Sequence, residues 1–73
     1  MANAIYNKQY KNIVEKLKKA RVQSGYTQVE MAKKLKRPQP HISKLESGEQ
    51  KIDILELREW ANICKKKIDY FLK

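Results

Sequence analysis

Between Gln39 and Ser47 the chain reads QPHISKLES, and on a helix anchored by Ile42 and Leu45 the residues Gln39, Pro40, His41, Ser43, Lys44 and Ser47 share the outward face. On that face only Lys44 carries a fixed charge. A glutamine amide sets a donor beside an acceptor, the pattern complementary to adenine N6 and N7 in the major groove of a duplex. Lysine reaches guanine O6 or N7, or a phosphate, while Pro40 offers a base only apolar contact such as with a thymine methyl. A slender polar face of this kind lets a helix sit deep in a groove.

Other chemistries find little support. One cysteine, Cys64, and one histidine, His41, allow neither an intrachain disulfide nor a zinc cluster of Cys and His, so no metal ligand is expected. Cys64 falls on an apolar stripe and reads as a small core residue. A Cys64 and His41 nucleophilic pair would require both on one exposed surface, and their helical faces diverge, so no catalytic residue is expected. Gly25 and Gly48 are too few and too far apart for a phosphate-cradling loop. No cofactor is implied. With no signal-like segment and no apolar run of membrane-spanning length, the expected location is the cytoplasm.

The elements that must position the polar face are helical, because apolar residues recur at three- and four-residue steps and β-branched alternation is absent. The fold class is therefore all-α: five helices in a single domain over residues 8–73, preceded by a loose arm over residues 1–7. Tyr10, Ile13, Val14, Leu17 and Ala20 mark a first helix from about Lys8 to Ser24, stopped by Gly25. Thr27 and Glu30 have capping-box spacing and open a second, whose buried stripe is Met31, Ala32 and Leu35. Pro38 ends it, since a proline disfavours helical geometry at Arg37 before it. Pro38 and Pro40 set the start of the third helix and Gly48 its end. Asp53 and Glu56 repeat the capping pattern ahead of a fourth helix to about Lys65, with Ile54, Leu57, Trp60, Ala61 and Cys64 inward. A short fifth helix brings Ile68, Phe71 and Leu72 to the core.

The net charge of +9 is unevenly spread: residues 1–44 carry +9, residues 45–64 carry −3 and the remainder +3. A basic surface beside an acidic segment suits a polyanion docking on one side.

Two short helices joined by a tight turn, the second with an exposed polar face, describe a helix-turn-helix. The stretches GYTQVEMAKKL, RPQPHISKLESGE and WANICKKKIDYFL resemble the lambda-repressor-like domain of phage Cro proteins, phage repressors and small bacterial regulators, over roughly Val14 to Leu72. The resemblance implies that Gln28 bonds a DNA phosphate and helps hold the third helix, and that Gln39 is the first base reader. It places Pro40, His41, Ser43 and Lys44 at the remaining groove-facing positions, and matches Arg21 and Glu46 to an ion pair tying the first helix to the third. Ser47, the backbone around Gly48 and Lys51 are further phosphate candidates. Lys36 stands where the family often has glycine, and Pro38 where it often has a capping Ser or Thr.

The function expected is a sequence-specific regulator of transcription that binds double-stranded DNA. The role expected is that of a bacterial or phage-encoded repressor binding a two-fold-related operator as a homodimer, since one short helix reads few base pairs. Ile5, Tyr6, Tyr70, Phe71 and Leu72 are candidate dimer contacts. The alternative is an antitoxin-like protein that neutralises a small protein partner through the acidic fourth helix and binds DNA to regulate itself. Co-purification with such a partner would favour it. Nonspecific coating of nucleic acid fits the uncharged reading face poorly, and a restriction-modification controller is a further possibility among DNA regulators.

Overall fold

Each helix boundary has a local cause. The computed structural model describes residues 7–73, which form five helices with no strand among the described residues. Helix α1 spans Lys8–Gln23. The Asn7 side chain caps it by accepting from the Gln9 and Tyr10 N–H groups at 2.7 and 3.2 Å. Asn7, expected in the arm, is thus the start of the domain; residues 1–6 lie outside the described residues.

Helix α2 spans Gln28–Leu35, and its capping box is complete. Glu30 N–H donates to the Thr27 hydroxyl at 3.1 Å, and Thr27 N–H donates to the Glu30 carboxylate at 2.8 Å. Lys36 closes α2 in the left-handed region, φ 59°, a conformation that costs a side-chain-bearing residue about 1 kcal/mol. Helix α3 spans Gln39–Ser47, with Pro38 at the N-cap making no side-chain cap hydrogen bond and Gly48 at the C-cap, φ 82°. Pro40 sits in the first turn, where its missing N–H costs nothing.

Helices α4, Ile54–Ile63, and α5, Asp69–Leu72, complete the chain. One cluster holds all five together: Leu17 and Ala20 from α1, Met31, Ala32 and Leu35 from α2, Ile42 and Leu45 from α3, Leu57, Trp60 and Ala61 from α4, then Cys64 and Phe71. Trp60 is fully buried, and its indole N–H donates to the Leu17 carbonyl at 3.1 Å, joining α4 to α1. Burial pushes the Cys64 thiol pKa up, away from the thiolate, as befits a core residue.

Two apolar assignments are corrected. Ile54 is 64% exposed and Leu72 55% exposed, although periodicity turned both inward. Ile54 is the first residue of α4, so it projects past the end of the core. A four-residue α5 buries one side, and Phe71 takes it. Both residues instead line a cleft of about 400 Å³ with Tyr10, Ile13 and Leu57. Helix α4 also stops two residues early, at Ile63, because Lys65 turns left-handed at φ 57°.

Gly25, φ 82°, offers a clean measure of backbone cost, since a Cβ there meets nothing within 4 Å. Gly25→Ala is expected to lower stability by about 1 kcal/mol, or roughly 4–8 °C in Tm for a domain this small, and Gly25→Asn by less. Thermal melts of the three proteins check the order.

Candidate nucleic-acid interface

The site is organised from a buried ion pair outward. Arg21, on α1, donates from Nε and Nη2 to the two carboxylate oxygens of Glu46, on α3, at 2.6 and 3.0 Å. Its Nη1 donates to the Tyr26 carbonyl at 2.8 Å. The two side chains are only 9% and 3% exposed. A two-pronged guanidinium contact of this kind fixes orientation as well as distance.

Glu46 also accepts from the Gln28 amide, Nε2 to Oε1, at 3.1 Å. A carboxylate has no proton to give, so Gln28 must turn its NH2 toward Glu46 and its carbonyl the other way. That carbonyl accepts from Gln39 Nε2 at 2.8 Å. The donor sense therefore converges on Glu46: Arg21 donates into it from one side, and from the other Gln39 donates to Gln28, which donates to Glu46. Gln39 is left with its carbonyl oxygen and one amide hydrogen unspent, side by side, which is the pair a bidentate adenine contact requires.

Pro40, Ser43 and Lys44 are exposed on the same helix, and Gln39 and Gln28 are half-buried at its N-terminal end. At the other end Ser47 Oγ lies 3.1 Å from both the Lys44 carbonyl and a Glu49 carboxylate oxygen, so an acidic group stands beside it. Gly48 is buried, and its N–H closes α3 on the Leu45 carbonyl at 3.3 Å. Glu49 N–H is likewise drawn back to the Lys44 carbonyl at 3.0 Å. Lys51 is exposed in the following loop.

His41 is placed differently from its neighbours. Its Nε2 lies 2.9 and 3.1 Å from the two oxygens of Glu56, on α4, and its Nδ1 lies 3.4 Å from the Gln50 amide nitrogen. Both ring nitrogens are thus engaged by protein groups. Glu56 is 5% exposed, so it does not close the capping box that its spacing from Asp53 suggested; only the Asp53 half forms, at 2.8 Å from Glu56 N. The cause is competition: His41 and Arg37, whose Nε lies 3.5 Å from Glu56 Oε2, draw the carboxylate across to α3. Arg37 and Gln50 were not singled out from the sequence. The one available signal was an arginine directly ahead of the proline that starts α3.

The helix-turn-helix family pattern matches residues 17–71, covering the last turns of α1, all of α2, α3 and α4, and α5 except Leu72. The chain belongs to that family, as a lambda-repressor-like helix-turn-helix protein. No curated protein matches it in sequence. As a helix-turn-helix protein it is a DNA-binding regulator of transcription, with α2 and α3 as the two helices of the motif. Among the described residues no helix is long and apolar enough to cross a membrane, and no three His, Cys, Asp or Glu side chains gather as a metal site would need.

Arg21→Ala is expected to leave Glu46 buried without its charge partner and to cost about 3 kcal/mol of stability. An unchanged urea midpoint for the variant would show that the pair contributes nothing to the helix-turn-helix fold.

Proposed function

We propose that this protein is a sequence-specific repressor that binds a two-fold-related operator as a homodimer, reading bases through α3. The observation that carries the reading is the hydrogen-bond chain in which Gln39 donates to Gln28, and Gln28 to the Glu46 carboxylate held by Arg21, which leaves an oriented amide at Gln39. An amide held this way has lost most of its rotamer freedom before DNA arrives, so less ordering entropy opposes binding. Gln39 is assigned to adenine, Lys44 to guanine or a flanking phosphate, and Pro40 and Ser43 to the groove floor. Gln28, already bonded on both amide atoms, keeps one N–H for a phosphate. Lys51 is assigned to the phosphates on the far side, where Ser47 and the backbone around Gly48 form the supporting turn.

A homodimer is supported by the apolar side chains that the core leaves outside. Ile54, Leu55 and Leu72 are 64%, 69% and 55% exposed. Phe71, one of the candidate dimer contacts, is fully buried and drops out; Tyr70 is half-buried, and Ile5 and Tyr6 lie outside the described residues. The antitoxin-like alternative loses part of its support, because Glu56 of the acidic segment faces α3 instead of a partner. The place of action is the cytoplasm of a bacterium, whether the protein is chromosomal or phage-encoded.

Selection of binding sites from a random duplex pool at about 150 mM salt, where nonspecific affinity is weak, tests the proposal. The expected product is a motif with two-fold symmetry. Gln39→Ala should lose about 1–3 kcal/mol and relax the preference at one position of each half-site. Binding that shows no enriched motif and fades uniformly with salt would overturn the repressor reading.

A further inference from the structure

The cluster around Glu56 is not needed to read a base, yet it joins three segments. Its carboxylate, 5% exposed on α4, meets His41 from α3 and Arg37 from the α2–α3 turn. The two partners are unequal. His41 is close, at 2.9 and 3.1 Å, and its side chain is 19% exposed. Arg37 is loose, at 3.5 Å through Nε alone, and its side chain is 47% exposed. Its two terminal NH2 groups make no hydrogen bond to any described residue, so the fork that suits phosphate is unoccupied.

His41 and Arg37 share this one carboxylate, so Glu56 keeps a hydrogen-bond partner when Arg37 leaves. His41 Nε2 stays 2.9 Å from it, and the Gln50 amide, 3.4 Å from Nδ1, braces the ring on its other side. Arg37 can therefore turn outward without leaving the buried carboxylate unpartnered.

We propose that Arg37 is a further DNA-phosphate contact, parked on Glu56 in the free protein and transferred to the duplex while His41 keeps hold of the carboxylate. The inference rests on the DNA-binding reading and extends it. His41 is accordingly a positioning residue and not a base reader.

The test uses a random-sequence duplex, since a phosphate contact is independent of sequence. Affinity is measured from about 50 to about 200 mM salt for wild type, Arg37→Gln and His41→Ala, with melts to confirm folding. Arg37→Gln should lower the slope of log affinity against log salt by about 1. His41→Ala should lower it too, because Glu56 then has no second partner and retains Arg37. An unchanged slope in Arg37→Gln would overturn the contact. A wild-type slope in His41→Ala would overturn the transfer. Wild type that binds no duplex at any salt would bring down the DNA-binding reading, and this inference with it.

Discussion

The rest of the reading surface depends on one buried carboxylate. Glu46 sits on the inner side of α3, saturated by Arg21 and Gln28, and its inability to donate a hydrogen bond sets the direction of every bond beyond it. Without that polarity Gln28 could present either amide atom to Gln39. Gln39 would then lose the defined pair of donor and acceptor on which discrimination between bases depends. A core ion pair is weak support for stability by itself, since apolar packing often does as well. Its value here lies in direction: it transmits an orientation from α1, through α2, to the first residue of α3.

Glu56 works on the same helix from the opposite side. Glu46 holds α3 to α1, and Glu56 reaches from α4 to His41, so two acceptor-only groups bracket the reading helix. Between them Ile42 and Leu45, both fully buried, supply the apolar anchor. The face left outside is therefore rigidly aimed although few of its residues are large. A helix of nine residues has little stability alone, and needs these tertiary contacts to persist.

Much of this architecture was legible in the chain because its signals are local. Thr27 with Glu30, Gly25 and Gly48 act within one turn of where they stand, and each does what its type and spacing imply. The stripes of α1 and α2 follow helical periodicity for the same reason. Periodicity failed at Ile54 and Leu72, which lie at helix ends, where the period still points inward but no neighbouring element remains to cover the side chain. It failed again at Glu56, whose spacing from Asp53 is that of a capping box while its carboxylate is drawn away by two basic groups remote in sequence.

The order of types along the chain was enough by itself to determine five helices, the capping box of α2, the glycine stops and the buried stripes of α1, α2 and α3, because all of these are set by interactions spanning four residues or fewer. The Arg21 to Glu46 pair was reached from the sequence only through resemblance to a family. Which way each amide points, that His41 turns to α4, and that Arg37 has a fork to spare were decided by the tertiary structure alone. Each depends on an acceptor brought close by packing, Glu46 for the amides and Glu56 for His41 and Arg37, and helical periodicity carries no information about which side chains meet across helices.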